Sequence, residues 1–274
     1  MKTAERPRYP SDLTDAQWAL LQDQVPGQAL LGCPITYARR EVVNALLYLA
    51  RTGCQWRALP HDLPPWPLIY SYFRQWSADG TLDAIHTALR ERVRQADRRH
   101  PQPSAGILDS QTVKVAGQAG PRGYDGGKHL TGRKRHLLTD TLGLLLVVVV
   151  TAANVSDPAG AREVALVAQP RLRRLRHLWA DSTYGGTLVE WLATWCGWAL
   201  QIVSHIGTVH EFIVQQRRWV VERTFGWWVH YRRLSKDYEV QTFHSEAWIL
   251  LAMISVMLNR LAPLAPPKPQ KKPG

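Results

Sequence analysis

The sequence predicts an α/β fold in which a small all-α region precedes a domain of alternating strands and helices. In residues 1–96 the apolar side chains recur at helical spacing, whereas beyond residue 106 short aliphatic runs alternate with helical segments. A polar, proline-containing segment separates the two patterns. We therefore expect a helical domain at 1–96, a linker at 97–106, an α/β domain at 107–262 and a basic, proline-rich, disordered tail at 263–274.

Four short amphipathic helices are expected in the first domain. Thr14 and Gln17 form a capping box that opens the first helix. The second begins near Ala38 and ends before Gly53, and the third ends at Gly80. Thr81 is expected to cap the fourth helix. The arginines on these helices could face DNA or form an ordinary solvated surface, and the pattern does not decide between the two.

The second domain is expected to have the order β-β-β-α-β-α-β-α. Its strands are predicted at 106–115, 135–139, 144–151, 177–180 and 200–203. The first helix is predicted to begin with the N-cap Asp157, and the next two are predicted at 187–195 and 214–231. A further helix at 245–261 is expected to follow this order. This pattern predicts a mixed sheet with flanking helices.

A glycine-rich basic segment lies between the first two strands. Residues 117–135 contain six glycines and five basic residues. They do not match a P-loop, because Arg122 and His129 occupy the positions where a P-loop has Gly and Ser or Thr. We expect a flexible loop that clamps a nucleic acid backbone, and a solvated insertion is the alternative.

The charge balance points to a polyanionic partner. The chain has 34 Lys and Arg against 22 Asp and Glu, a net charge of +12, and 274 residues in all. A GC-rich genome that favours arginine codons is the alternative explanation. No apolar run reaches the roughly 18–20 residues of a membrane span and no secretory signal is visible, so we expect a cytoplasmic protein. Three scattered cysteines exclude a disulfide or zinc framework.

Two aspartates are candidate metal ligands because of where they stand. Asp109 and Asp181 each follow an apolar strand segment and begin a polar run. The carboxyl ends of strands are where open α/β sheets bind ligands. A carboxylate flanked by apolar residues needs a partner, and a divalent cation would provide one.

Glu222 is the third candidate. It lies at the margin of the helical stripe formed by Val221, Phe225 and Trp228 and is surrounded by basic side chains. An ordinary Arg–Glu helix pair is the alternative for this residue. Together the three acids could hold two Mg²⁺ ions, which cleave phosphodiesters by in-line attack.

These motifs resemble those of a known family. The matching segments are ILDSQTVK at 107–114, the segment 122–146, WADSTYGG at 179–186, RRWVVERTFGWW from residue 217, and LTDAQWALL with REVVNALLYLARTGCQWRALP in the first domain. They resemble bacterial insertion-sequence transposases of the DDE class, of the insertion-sequence-five type. The resemblance covers roughly residues 9–260.

The resemblance implies a ribonuclease-H-like catalytic fold. It also implies that Asp109, Asp181 and Glu222 are the catalytic and metal-binding acids, holding two Mg²⁺ ions with Mn²⁺ as a substitute. The sequence departs from the family's Tyr-Arg-Glu-Lys signature, because Trp219 replaces the tyrosine and Val229 the lysine. Other basic residues nearby could serve instead of that lysine: Arg223, Arg232 or Lys236.

The implied function is that of a DNA transposase. Such a protein binds the terminal inverted repeats of its element, cleaves the ends and transfers the 3′-hydroxyl strands to target DNA, as a homodimer or larger assembly. The residues expected to contact DNA are Lys114, Arg122, Lys128, Arg133, Lys134, Arg135, Arg218, Arg223, Arg232, Arg233 and Lys236. The alternatives are a non-catalytic DNA-binding protein, a decayed transposase copy, or a nuclease without strand transfer.

Overall fold

A computed structural model describes residues 6–27, 37–117, 120–203 and 218–263, without the side chain of residue 218. The helices are α1 (Asp15–Leu21), α2 (Arg39–Thr52), α3 (Trp66–Ala78), α4 (Thr81–Ala96), α5 (Asp157–Ala168), α6 (Thr187–Cys196), α7 (Arg218–Trp228) and α8 (Thr242–Leu261). The strands are β1 (Ala105–Lys114), β2 (Gly123–Asp125), β3 (Leu130–Asp140), β4 (Leu145–Ala152), β5 (His177–Ala180) and β6 (Ala199–Ile202). Most of the predicted tail and the predicted helical residues 214–217 lie outside the described residues.

The ends of the N-terminal helices follow local chemistry. At α1 the hydroxyl of Thr14 accepts the Gln17 N–H and the Gln17 side chain accepts the Thr14 N–H, so the predicted capping box is present. Helix α2 ends at Gly53, which adopts the left-handed conformation with φ 69°. The expectation that Thr81 caps α4 is wrong. Gly80 is the N-cap with φ 79°, because only glycine takes this conformation without strain at the sharp turn from α3.

The strands form one mixed sheet. β1 lies in its centre, antiparallel to β3 and parallel to β5, and β6 continues the sheet parallel to β5. β4 and β2 pair with successive parts of the other edge of β3. The sheet has helices packed on both faces. This is the ribonuclease-H-like arrangement that was predicted.

The glycine-rich segment is a hairpin in its described part, so the expected flexible loop is wrong for residues 120–135. β2 and β3 pair antiparallel across a tight turn, in which the Asp125 carboxylate accepts the N–H groups of Gly127 and Lys128. Gly132 is needed for close packing, because a Cβ there would lie 1.9 Å from the carbonyl oxygen of Val113. Here glycine permits close approach of two strands.

Helix α5 begins one residue earlier than predicted. Ser156, rather than Asp157, is its N-cap, and the Ser156 hydroxyl accepts the Ala159 N–H. The Asp157 carboxylate is therefore available for a different role, described below.

Two hydrophobic clusters lie on opposite faces of the sheet. Leu108 and Leu178 pack with α5 and α6, whereas Ile107 and Trp179 pack with α7 and α8. The cluster that contains Ile107 and Trp179 also contains buried apolar residues of α1 to α4. Within it, Phe73 of α3 stacks on Trp248 of α8 with ring centroids 4.5 Å apart. The N-terminal helices and the sheet thus share a core, and the division into two domains stays a prediction. Within the described ranges, no helix is both long and apolar enough to cross a membrane.

Candidate catalytic site

Each of the two candidate aspartates follows a residue of the paired strands β1 and β5. Ile107 of β1 is paired with Trp179 of the parallel neighbour β5. Asp109 and Asp181 each lie two residues further along the chain: Asp109 is still within β1, whereas Asp181 is the first residue after β5. Because side chains alternate along a strand, the Asp109 carboxylate lies on the same face of the sheet as Ile107.

Local hydrogen bonds orient both carboxylates. The Ser110 N–H donates to Asp109 Oδ1 at 2.7 Å. Asp181 continues from β5 in an extended conformation and caps the short 3₁₀ helix 182–184, accepting the N–H of Thr183 at 2.8 Å and also its hydroxyl. Both aspartates are half-buried. The site therefore combines fixed carboxylate oxygens with access from solvent.

Glu222 belongs to α7, which packs on the face of the sheet that carries Ile107 and Trp179. Its carboxylate does not form a group with the two aspartates. Helix α7 packs through Val221, Thr224 and Trp228, whereas Glu222 is exposed on its other side with Gly226. No group of three His, Cys, Asp or Glu side chains among the described residues could hold a metal ion. The assignment of Glu222 as a third ligand stays a prediction.

A polar cluster lies directly behind the aspartates, on the opposite face of the sheet. Lys134 Nζ is 3.1 Å from Asp157 Oδ1 and 3.8 Å from Asp125 Oδ2. The Ser110 hydroxyl donates to the same Asp157 oxygen at 2.8 Å. Tyr184 completes the cluster, and burial together with the nearby carboxylates raises the pKa of its hydroxyl. This cluster braces the strand that carries Asp109.

Four of the predicted DNA-binding cations are buried and held by internal partners. Lys134 belongs to the cluster above. Arg133 donates to Asp237 at 3.0 Å, and Arg233 donates to Glu239 at 2.6 Å. Arg135 donates to Gln111 and to the carbonyl of Leu234, and burial lowers its pKa to about 10. Burying a charge without a partner is costly, so these side chains are fixed inside the protein and are not available to contact DNA.

The other predicted cations are more accessible. Arg223 is half-buried, donates to the Leu142 carbonyl at 2.8 Å, and lies over the ring of Trp219. The side chain of Arg218 is outside the described residues. Five are exposed: Lys114, Arg122, Lys128, Arg232 and Lys236.

An arginine-lined pocket beside the site was missed at the sequence level. It has a volume of about 620 Å³ and contains Ile107, Trp179 and Trp219 together with basic side chains. The basic residues are Arg94, Arg98, Arg99, His100 and Arg174. Three of these belong to the segment 97–106, which we assigned to a linker because of its prolines. The run DRRH at 97–100 was the available signal, since clustered arginines suit phosphate binding.

Comparison with known proteins identifies the family. Residues 100–257, more than half of the chain, match the family described as "Transposase DDE domain". The chain belongs to this family. Residues 13–86 match a second description, "Putative transposase of IS4/5 family". The predicted membership in the DDE-class transposases of insertion sequences is thereby confirmed.

Individual relatives are distant. The chain is 28% identical over 137 residues to a Burkholderia cepacia protein described as "Putative transposase for insertion sequence element IS402". That match covers 47% of this chain and 64% of the relative, so this chain spans less than two thirds of its length. The chain is also 30% identical over 117 residues to the uncharacterized protein y4sN of Sinorhizobium fredii, covering 42% of this chain and 87% of that one.

A solved structure, the crystal structure of the Mos1 strand transfer complex, aligns with 64% of this chain and 60% of its own. Its TM-score is 0.23 and its sequence identity is 13%. Values this low do not establish a shared fold, and the fold is defined by this chain's own strand order.

Proposed function

We propose that this DDE-domain transposase binds the terminal inverted repeats of an insertion sequence, cleaves its ends and transfers the 3′-hydroxyl strands to target DNA. The observation that supports the proposal is the pairing of Ile107 with Trp179 on adjacent parallel strands, two residues before Asp109 and Asp181 respectively. A pair of oriented, half-buried carboxylates at that position suits phosphodiester chemistry. The family membership supports the same activity.

The residues fit a hard divalent cation. Mg²⁺ prefers oxygen ligands, and Asp109 and Asp181 supply carboxylate oxygens from β1 and from the residue directly after β5. Asp109 and Asp181 would hold the ion, with Glu222 as the proposed third acid and with Mn²⁺ as a substitute. When bound, two such ions would activate the attacking hydroxyl and stabilise the leaving oxygen.

The remaining residues would position the DNA. The arginine-lined pocket lies against Ile107 and Trp179, two residues before the aspartates on each strand. Its exposed Arg98 and Arg99 would bind backbone phosphates. Such contacts fix the register of the duplex without reading its sequence. The exposed cations outside the pocket would extend this contact. Acting on two ends together would require a dimer or a larger assembly, in the bacterial cytoplasm at the nucleoid.

The test is a cleavage and joining assay. The protein is incubated with a labelled duplex bearing the ends that flank its gene, supercoiled plasmid and Mg²⁺. The Asp181→Ala variant and EDTA serve as inactive arms, and Asp23→Asn, which changes an exposed aspartate in the turn after α1, is the matched control. We expect labelled ends joined to plasmid for the wild type and for Asp23→Asn only.

The products separate the alternatives. Cutting without joining would indicate a nuclease, and binding without cutting would indicate a DNA-binding protein or a decayed copy. Cutting that is unchanged in Asp181→Ala would show that the assigned site is wrong.

A further inference from the structure

An aromatic groove lies between α3 and the segment that precedes and opens α8. It has a volume of about 1120 Å³. The N-terminal part of the chain contributes Trp56, Trp66 and Tyr70, and the C-terminal part contributes Tyr238 and Phe243. None of these residues was part of the predicted site. We refer to these five residues, with Arg74, as the aromatic groove.

The rings are held in place yet open to solvent. Trp56 contacts Tyr70 edge to face with ring centroids 5.0 Å apart, and it also packs on Trp248 of the core. Tyr238 is 36% exposed and Phe243 is 41% exposed. Fixed rings with open faces are suited to stacking on flat aromatic ligands.

The rim of the groove is positive. Arg57 lies over the Trp66 ring at 5.7 Å from its centroid, and Arg74 lies over the Tyr70 ring at 6.0 Å. Both arginines are exposed. The carboxylate in the lining, Glu239, accepts from Arg233 at 2.6 Å and from the Trp248 indole at 2.9 Å, which neutralises it. The groove therefore favours an anionic ligand that carries flat rings.

The groove is connected to Asp109 through strand β1. Strand β1 continues beyond Asp109 to Lys114, and the next residue, Val115, bridges to Asp237, the residue before Tyr238. Six residues of extended strand span about 20 Å, which is about six nucleotide steps along a DNA strand. One bound strand could contact both places.

We infer that the aromatic groove binds an unpaired stretch of DNA, with bases stacked on its rings and phosphates held by Arg57 and Arg74. This inference rests on the proposed function for the nature of the substrate. Bases must leave a duplex before they can stack on protein rings, so the groove selects single strands over duplex. The chain's own residues 264–274 are a poorer occupant, because they carry three lysines and no acid, which the arginines repel.

The test is a binding titration with the full-length protein in EDTA, so that no cleavage occurs. Fluorescence anisotropy reports the affinity for a labelled 15-nucleotide oligodeoxythymidylate and for a blunt duplex of the same length. The variants are Tyr238→Ala, Phe243→Ala and Arg74→Gln. The matched controls are Trp195→Ala, an exposed ring on α6, and Arg8→Gln, an exposed arginine near the N-terminus.

Each ring variant is expected to bind the single strand about tenfold more weakly than the wild type and to bind the duplex within about twofold of the wild type. Both control variants are expected to bind the single strand and the duplex within about twofold of the wild type. Arg74→Gln is expected to reduce the slope of log affinity against log salt by about 0.7. Equal weakening for duplex and single strand would overturn the inference, as would unchanged affinity in both ring variants. If those variants instead shift the sedimentation of the free protein, a second copy or the tail occupies the groove and the inference is wrong.

The outcome is separable from that of the proposed function. Ring-dependent binding by a protein that fails to cut would sustain the inference and contradict the catalytic proposal. If the protein cuts and joins DNA but its affinity for single strands is unchanged in the ring variants, the catalytic proposal is sustained and the inference about the groove is contradicted.

Discussion

The buried ion pair between Arg94 of α4 and Asp140 of β3 joins the N-terminal helices to the sheet. Its side chains are 5% and 0% exposed. Asp140 Oδ1 also accepts the N–H groups of Leu142 and Leu144 at 2.8 and 2.9 Å, and Arg94 Nε donates to the His100 carbonyl. We predict that Arg94→Met will lower the free energy of unfolding strongly, because it leaves a buried carboxylate without its cation.

The magnitude follows from the burial. Removing one partner of a buried pair costs about 3–5 kcal/mol, which we expect for Arg94→Met. Asp140→Asn keeps an oxygen for the turn N–H groups, whereas Asp140→Ala also loses that acceptor and should cost about 1–2 kcal/mol more. The double variant Arg94→Met/Asp140→Asn should cost less than the sum of its parts, since neither charge is then left alone.

The assay is urea unfolding followed by tryptophan fluorescence and by far-ultraviolet circular dichroism. The matched control is Arg171→Met, because the pair of Arg171 with Asp83 is 52% and 38% exposed and should contribute only about 0–1 kcal/mol. A cost below about 1 kcal/mol for Arg94→Met would refute the reasoning. So would two separate unfolding transitions in the wild type, since a shared core predicts one.

Three further predictions concern a buried acid, the arginine pocket and a buried ring. Burial raises the pKa of Glu246 from 4.5 to about 7, so its ionisation opposes folding as the pH rises through that interval. Glu246→Gln, which keeps an acceptor for the Val150 N–H, should match the wild type below pH 4.5 and be about 3 kcal/mol more stable above pH 7 in urea unfolding. A difference that does not vary with pH would contradict this. The double variant Arg98→Gln/Arg99→Gln should reduce the salt slope of duplex binding by about 2 in anisotropy titrations, and an unchanged slope would remove the pocket from the DNA path. Tyr184→Ala should lower stability by about 3–5 kcal/mol through the cavity it leaves, whereas Phe at this position should retain most of that packing, and equal thermal unfolding of the two variants would show that the ring does not pack as described.

The elements that were predicted correctly depend on local chemistry. Two such features are the capping box of Thr14 and Gln17 at the start of α1 and the left-handed Gly53 at the end of α2. Both act within a few residues, so the local sequence is enough to predict where these helices begin and end. Asp109 and Asp181 were proposed as metal ligands because each follows an apolar strand segment, and this assignment stays a prediction. That β1 and β5 are neighbours in register is a long-range fact, and no local pattern contains it.

The incorrect and missed parts depend on partners distant in sequence. Arg133 was predicted to contact DNA, but its partner Asp237 lies 104 residues away. Gly132 was interpreted as part of a flexible loop, because the sequence pattern does not show that it packs against the carbonyl of Val113. Arg98 and Arg99 were assigned to a linker, and only the fold brings them beside Ile107 and Trp179.

The central claim is that Asp109 and Asp181 together hold a divalent cation. Electron paramagnetic resonance of Mn²⁺ tests it directly, because the signal of free Mn²⁺ gives the amount bound by the protein with its duplex DNA end. We predict that Asp109→Asn and Asp181→Asn each abolish the tightest Mn²⁺ site, and that Asp23→Asn keeps it. Unchanged Mn²⁺ binding in both site variants, with the same fold by circular dichroism, would contradict the account.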